Sequence, residues 1–424
     1  MLFVMIFVFF VLMFAGVPLA ITMVLASVSY LLLGNAFPVQ AIPQRMIVGS
    51  DSFTFLAIPF FFLAGELMNN GGLMIRIVKF VQGLVGFIRG GLAYVNVVTN
   101  MIMAGMSGSA LADAAATGTV LIPAMEKAGY SRAFAAALTA AAGTIGPIIP
   151  PSIPFVLYAG MANLSVGKMF MAGAVPGVGM GLFLIAASYF ISVKRGYGKE
   201  ARQSFREIFA NFRHAFLALL MPVIILGGIL SGVTTATEAA VVAAVYSLIV
   251  SMFIFKAITV KDLPNIIYKA AIDTSVIMFI VSAASMFGWI LGREQVPQLL
   301  MQGVQALTTS PMMVLLLLNI MFLILGMFME GTSILIILTP VLLPLINAMG
   351  IDPYHFGVIM VLSLMIGLIT PPVGITLFIT SRIAGLSVDV VAKEMVPFII
   401  ALVLLLILVS YWPALSLWLP SITN

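Results

Sequence analysis

Long apolar stretches separated by short polar loops run along almost the whole chain. A membrane span needs about 20 apolar residues, and many stretches reach that length. Two of them are longer than one ordinary span and contain paired prolines, which remove backbone donors and clash with the preceding turn. We therefore predict ten crossings, the fourth and ninth of them broken, at residues 2–16, 17–34, 53–70, 131–163, 169–193, 216–232, 236–256, 266–292, 354–384 and 394–419.

Two further apolar stretches, 91–126 and 311–349, have small polar centres where a charged loop would be expected. The centres read MSGSALAD at 106–113 and MEGTS at 329–333. Non-helical backbone at membrane depth is tolerated only where it is buried in protein or lines a cavity. We predict that each stretch is a re-entrant hairpin with two short arms that enter and leave on the same side.

The second half of the chain repeats the first at a constant offset of 221 residues. The run VLIP…G…IGPIIPP, from Val120 to Pro151, returns as VLLP…G…IGLITPP, from Val341 to Pro372. Interrupted segments at corresponding places in two halves are the best sequence pointer to a transporter binding site. We predict a first repeat at 1–193, a linker at 194–215 and a second repeat at 216–424.

The composition supports a membrane protein and excludes several other classes. The chain is 62% hydrophobic and 8% charged, and its mean hydropathy is +1.23, far above a soluble domain. It has no cysteine and only two histidines, which are far apart, so we expect no thiolate or histidine metal site. It has no HExxH, no nucleophile elbow and no Walker A motif, which argues against an enzyme and against ATP hydrolysis. The first apolar run lacks a basic region before it, so we interpret it as a span.

The basic residues predict the topology. With five crossings and one hairpin in each half, the halves are inverted and both termini lie outside. Sixteen of the nineteen Lys and Arg residues then lie in inside loops, and three, Arg45, Lys168 and Arg293, lie in outside loops. This bias favours the layout and places the linker 194–215 inside. Segments 73–89 and 295–307 have a polar stripe at helical spacing and are predicted to lie along the membrane surface.

Acidic residues within membrane segments are rare and usually functional. Asp113 and Glu330 stand at the polar centres of the two hairpins. For the others we expect structural roles or none: Glu66, at the end of a span, is an interfacial or capping residue, Asp273 pairs with Lys269, and Glu238 has no evident role.

Each broken span frees carbonyl oxygens at the end of one half-helix and N–H groups at the start of the next. The carbonyls suit a hard cation such as Na⁺, and the N–H groups suit a carboxylate. We predict one cation site per half, built from a hairpin tip and the adjacent break, with the substrate between the two tips. A pair of merely kinked helices is the alternative.

At this point the chain resembles a known family. The runs SGSALADAAATGTVLIPAMEKAGY (107–130), GTIGPIIPPS (143–152) and GLITPPVG (367–374) resemble the large membrane subunit of tripartite ATP-independent periplasmic (TRAP) transporters, and within that family the sialic-acid systems. The resemblance implies an all-α integral membrane protein, similar to divalent-anion/Na⁺ symporters and working as an elevator. It also implies Na⁺-driven import of an organic acid into bacteria. The acid would be delivered by a soluble periplasmic binding protein, and a small four-helix membrane subunit would be a separate polypeptide.

We therefore expect two Na⁺ sites in a multi-pass protein of the bacterial inner membrane, with periplasmic termini and no role in nucleic-acid binding. The first is predicted to use Ser107, Ser109, Asp113, Gly143, Gly146 and Pro147. The second is predicted to use Glu330, Gly331, Thr332, Gly367, Thr370 and Pro371. The predicted substrate-side residues are Ser107, Ser109, Ser152, Thr332 and Pro372. Three alternatives remain: a self-sufficient Na⁺/carboxylate symporter without a binding protein, a passive channel, and a membrane-embedded enzyme.

Overall fold

The computed structural model of the chain describes residues 1–34, 38 and 40–422. In these residues every regular element is a helix. The first half contains α1 (Leu2–Phe14), α2 (Leu19–Gly34), α3 (Ala41–Ser50), a 3₁₀ turn (Phe53–Leu56), α4 (Ala57–Asn70), α5 (Leu73–Val85), α6 (Gly91–Ser107), α7 (Ala110–Lys127), α8 (Arg132–Gly143), α9 (Ile153–Ala162) and α10 (Val166–Arg195).

The second half follows the same order. It contains α11 (Phe205–Leu230), α12 (Ala236–Ile249) with a π-helical extension (Val250–Ile254), α13 (Leu263–Arg293), α14 (Val296–Leu307), α15 (Pro311–Phe328), α16 (Gly331–Ala348), α17 (Pro353–Gly367), α18 (Ile375–Ala384), α19 (Val388–Tyr411) and α20 (Ala414–Ile422). The all-helical architecture predicted from the sequence is confirmed.

The duplication is visible in the helix boundaries. Helices α7 and α16 begin and end at positions that correspond under the offset joining Pro151 to Pro372. Each half contains one helical hairpin followed by a broken segment, namely α6–α7 with α8–α9, and α15–α16 with α17–α18. The inverted orientation of the halves stays a prediction.

Two predicted segments differ clearly from the structure. The linker predicted at 194–215 is non-helical only at 196–204, because α10 runs to Arg195 and Ser204 starts α11 with a capping box to Glu207. The span predicted at 394–419 is two helices interrupted at Trp412, where the following proline disfavours helical backbone. Helix α3 was not predicted.

The hairpin arms are longer than predicted. Each arm has 17 or 18 residues, or about 26 Å at 1.5 Å per residue. In the described part of the chain, eight helices are long and apolar enough to cross a membrane, and both arms of the second hairpin are among them. Arm length therefore does not distinguish a re-entrant hairpin from a pair of full crossings. The distinction depends on where the tip lies along the neighbouring segments.

The helices pack in two groups. In one group, α7 and α18 pack on α8, α15 packs on α17, and α16 packs on α9. In the other, α4 packs on α12, and α13 packs on α2, α3 and α4. The groups meet where α4, α5 and α11 contact α6 and where α13 and α14 contact α16. Both hairpins and both broken segments thus belong to one group, with the cavity described below at its boundary with the other.

Candidate functional site

The first hairpin tip is a two-residue turn between α6 and α7. Gly108 has a φ of 61°, in the left-handed region that glycine adopts without strain. Ser109 then caps α7, because its hydroxyl accepts a hydrogen bond from the Ala112 N–H at 3.4 Å. The backbone N–H of Ser109 donates to the Ser107 hydroxyl oxygen at 3.2 Å. The tip is therefore fixed by its own serines.

Asp113 lies one turn into α7 and is fully buried. The Ser107 hydroxyl donates to its Oδ1 at 2.5 Å. Its other oxygen, Oδ2, has no hydrogen-bond partner in the described part of the chain. A buried carboxylate oxygen without a partner is costly, and a bound cation would remove that cost.

The first break faces this carboxylate. A Cβ built on Gly146 would lie 2.5 Å from Asp113 Oδ2 and 3.3 Å from the Gly143 carbonyl oxygen. A Cβ on Gly108 would lie 3.0 Å from the Pro151 carbonyl oxygen. The tip therefore lies at the level of the break, midway along the neighbouring segment, as expected for a re-entrant hairpin. The structure brings together the six residues of the first predicted Na⁺ set: Ser107, Ser109, Asp113, Gly143, Gly146 and Pro147.

The second tip uses an acid where the first uses a serine. Glu330 caps α16, and its two carboxylate oxygens accept the N–H groups of Thr332 at 3.0 Å and Ser333 at 2.9 Å. Under the repeat offset, Glu330 corresponds to Ser109, and Asp113 corresponds to Ile334. The second tip therefore has no buried acid in the place of Asp113, and the carboxylate of Glu330 is engaged in capping.

The second break packs closely on the second hairpin. A Cβ on Gly367 would lie 2.6 Å from the Cα of Gly326, so these two backbones touch. The Gly374 N–H donates to the Met327 carbonyl oxygen at 3.3 Å, and the Thr370 hydroxyl donates to the Ile366 carbonyl oxygen at 2.7 Å. Pro371, in contrast, is exposed. In this half the glycine contacts bring the break and the hairpin together, while the proline pair lies open. Both breaks contain a cis proline bond, at Pro150–Pro151 and Pro371–Pro372.

A cavity of about 500 Å³ lies where the two tips converge, within the usual size range of small-molecule sites. Ser109 and Pro147 line it from the first half, and Glu330, Thr332 and Ser333 line it from the second. Other lining residues come from α4 and α13, in the opposite packing group. The space predicted between the tips is therefore present and lies between the two helix groups.

The predicted substrate-side residues divide into two classes. Ser109 and Thr332 line the cavity. Ser107 and Ser152 are buried behind it, and the Ser152 hydroxyl donates to the Pro147 carbonyl oxygen while accepting the Phe155 N–H at 3.2 Å. Pro372 is exposed and lies outside the cavity lining.

The ion pair expected between Asp273 and Lys269 is wrong. Lys269 Nζ contacts Glu66 Oε1 at 2.8 Å instead. Glu66, predicted as an interfacial or capping residue, lies near the end of α4 with its side chain 9% exposed and forms this ion pair instead of a cap. Glu238, for which no role was found, completes a capping box with Thr235 at the start of α12.

A buried amide network behind the first tip was not predicted. Asn100 Nδ2 donates to Asn96 Oδ1 at 3.0 Å, and Asn96 Nδ2 donates to the Thr139 hydroxyl oxygen at 2.6 Å. The Thr117 hydroxyl donates to the Asp113 carbonyl oxygen at 2.6 Å. The same hydroxyl oxygen lies 3.2 Å from Asn100 Oδ1, so the network links α6, α7 and α8. Two asparagines four residues apart in an apolar run are a signal that could have identified it.

Comparison with known proteins gives consistent results. The profile described as tripartite ATP-independent periplasmic transporter, DctM component, matches residues 6–415. The chain is 41% identical to the sialic acid TRAP transporter large permease protein SiaM of Vibrio cholerae, covering 97% of this chain and 96% of that protein. It is 42% identical to the C4-dicarboxylate TRAP transporter large permease protein DctM of Pseudomonas aeruginosa, covering 92% of each.

A solved structure shares the fold. The crystal structure of the YdaH transporter of Alcanivorax borkumensis superposes with a TM-score of 0.62 at 13% identity, covering 88% of this chain and 87% of that one. At that identity the likeness concerns the fold alone.

Proposed function

The chain belongs to the DctM family, the large permease subunits of TRAP transporters, which move organic acids, and on that premise we propose that it couples import of its acid to Na⁺. The first Na⁺ would bind between the first tip and the first break. The observation that carries this proposal is the fully buried Asp113, whose Oδ2 faces Gly146 without a hydrogen-bond partner in the described residues.

The surroundings of Asp113 suit Na⁺ chemically. Hard cations are bound by carboxylate, carbonyl and hydroxyl oxygens, and the Gly143 carbonyl and the Ser107 hydroxyl lie around the same carboxylate. Gly146 leaves the space that any side chain would fill. For the second Na⁺ we propose the second tip and break, acting mainly through backbone carbonyls, because the Glu330 carboxylate already caps α16.

The charges of the cavity supply a reason for coupling. Four titratable side chains line it in the described part of the chain: Glu66, Asp273, Glu330 and Lys269. In their ordinary ionised forms they sum to two negative charges, which would repel an organic anion. Together with Asp113 behind the first tip the sum is three negative charges, and two bound Na⁺ would lower it to one. Na⁺ binding would therefore favour entry of the acid.

For the substrate we propose sialic acid first and a C4-dicarboxylate second. The identity to SiaM, over nearly the full length of both proteins, favours the first. An almost equal identity to a C4-dicarboxylate permease supports the second. The hydroxyl groups of Ser109 and Thr332, which line the cavity, can donate to the carboxylate of either acid.

TRAP large permeases work with a small membrane subunit and a periplasmic binding protein. We propose that this chain pairs with a separate four-helix subunit in the bacterial inner membrane, with its termini in the periplasm and residues 196–204 in the cytoplasm. We further propose an elevator movement, in which the hairpins and broken segments move against α1–α5 and α11–α14. The division of the helices into two packing groups supports this proposal.

The test is Na⁺-dependent uptake by proteoliposomes that contain the chain, its small subunit and external binding protein, measured with labelled N-acetylneuraminate and succinate. Asp113→Asn keeps the side-chain shape and removes the charge. We expect it to reduce Na⁺-dependent uptake at least tenfold, because a contact to a charged group contributes about 1.5–3 kcal/mol.

Asp389→Asn is the matched control. It removes the same charge from an exposed position in the first turn of α19. It should transport like the wild type. Undiminished Na⁺-dependent uptake by Asp113→Asn would remove Asp113 from the mechanism. Wild-type uptake independent of Na⁺ would refute coupling, and uptake without the binding protein would favour the self-sufficient symporter.

A further inference from the structure

An ion pair between the two helices opposite the hairpin tips forms one wall of the cavity. Lys269 Nζ on α13 contacts Oε1 of Glu66 on α4 at 2.8 Å and Oε2 at 2.9 Å. Asn70, one turn further along α4, donates to the Glu66 carbonyl oxygen at 2.8 Å. The Glu66 side chain is 9% exposed, whereas that of Lys269 is 63% exposed. The acid is therefore held in the wall, whereas the lysine side chain is largely exposed and lines the cavity.

Lys269 is the only positively charged residue among the described residues that line this cavity. An ammonium group has three N–H donors, and no more than two can face the two oxygens of Glu66. At least one donor is left for a ligand. A charge-assisted hydrogen bond from such a donor to a carboxylate is among the stronger polar contacts in proteins.

We propose that Lys269 binds the acidic group of the transported anion, facing the hydroxyl groups of Ser109 and Thr332 across the cavity. This inference rests on the proposed function and adds the cationic half of the substrate site. The ligand class is a small organic anion with one carboxylate close to Lys269. Glu66 orients the ammonium and competes with the substrate for it.

A purely structural ion pair would give a different mutational pattern. If the pair only joined α4 to α13, replacing either partner by glutamine would have the same effect on substrate binding. If Lys269 binds the anion, the two replacements act in opposite directions. Lys269→Gln removes the attracting charge, and Glu66→Gln removes the competing carboxylate.

The experiment measures equilibrium binding of radiolabelled N-acetylneuraminate and of succinate. It uses the membrane complex of this chain and its small subunit in saturating NaCl. With whichever acid the wild type binds, we expect Lys269→Gln to raise Kd tenfold or more. Lys269→Arg should restore binding to within about threefold, and Glu66→Gln should lower Kd threefold or more. Lys261→Gln is the matched control, because it removes the same charge from an exposed position just before α13.

A second readout separates this inference from the proposed function. Thermal unfolding in NaCl and in choline chloride measures Na⁺ binding without substrate, and Lys269→Gln should keep the full Na⁺-dependent stabilisation. Lys269→Gln binding within twofold of the wild type would overturn the inference, as would equal weakening by Lys269→Gln and Glu66→Gln. If Na⁺ does not stabilise the wild type itself, the proposed function is overturned and this inference with it.

Discussion

Replacing Gly146 by alanine tests whether the gap between the first tip and the first break is a cation site. The added methyl carbon would lie 2.5 Å from Asp113 Oδ2 and 3.2 Å from the backbone carbonyl carbon of Ser109. An ordinary contact needs about 3.4 Å or more, so the groups must separate by about 1 Å. Asp113 cannot simply rotate away, because the Ser107 hydroxyl holds its other oxygen at 2.5 Å.

Two effects of Gly146→Ala can be estimated separately. Overpacking a close-packed site costs typically about 1–3 kcal/mol, in any salt. A ligand present at 100 times its Kd stabilises the folded state by about 2.7 kcal/mol, and this contribution disappears if the methyl group occupies the site. The variant should therefore lose a moderate amount of stability in choline chloride and nearly all of the additional stability given by Na⁺.

The assay is thermal unfolding of the purified complex in NaCl and in choline chloride at equal ionic strength. Gly227→Ala is the control, because a Cβ on this helical glycine meets nothing within 4 Å. Alanine is favoured over glycine in a helix, so this variant should be as stable as the wild type or more stable, with its full Na⁺ effect. A Gly146→Ala protein with a wild-type Na⁺ effect would refute the assignment of this site.

Two further predictions concern the topology and an acid outside the spans. The chain has no cysteine, so Lys168→Cys and Asp389→Cys give single labelling sites at exposed positions that correspond under the repeat offset, at the starts of α10 and α19. A membrane-impermeant maleimide should modify them from opposite faces, and labelling from the same face would contradict the inverted repeats. In the loop before α13, the Thr259 hydroxyl donates to Asp262 Oδ2 at 2.6 Å and the Thr259 N–H does so at 2.8 Å, which holds the pKa of Asp262 below its usual range. Because the folded pKa is lowered, this contribution to stability is present above the unfolded pKa of about 3.9 and is lost as pH falls through the folded pKa. Hydrogen exchange of residues 256–266, corrected for its intrinsic pH dependence, should become faster as pH falls through this acidic range. Thr259→Val should move the pH of this change upward. An unchanged pH would contradict the role of Thr259.

The repeat and the breaks could be predicted from the sequence because they depend on local chemistry. Paired prolines interrupt a helix wherever they occur within it, and small polar residues in an apolar run mark a turn. The boundaries of α7 and α16 therefore follow from the sequence, as does the meeting of Asp113 with the first break. The start of α11 also has a local signal, Ser204 and Glu207 at capping-box spacing, within the stretch that the charged residues predict as a linker.

The ion pair of the cavity wall could not be predicted from the sequence in the same way. Glu66 and Lys269 are 203 residues apart, and only the packing of α4 on α13 brings them together. Helical spacing favoured the pairing of Lys269 with Asp273 instead, because residues four apart lie on the same face. Local spacing identifies available partners within one helix, whereas the choice of partner between helices depends on the tertiary fold.

The bare contact between Gly326 and Gly367 restricts the motion of the second hairpin. No side chain lies between the two backbones, so α15 and α17 cannot slide past each other at this contact without a clash. Separating them would leave two uncovered backbone surfaces in the bilayer. A flap that swings open by itself would require that separation. In the proposed elevator movement, the hairpin and its broken helix should therefore travel as a single body, and the solute would be released when this body clears a stationary wall and not when a lid lifts.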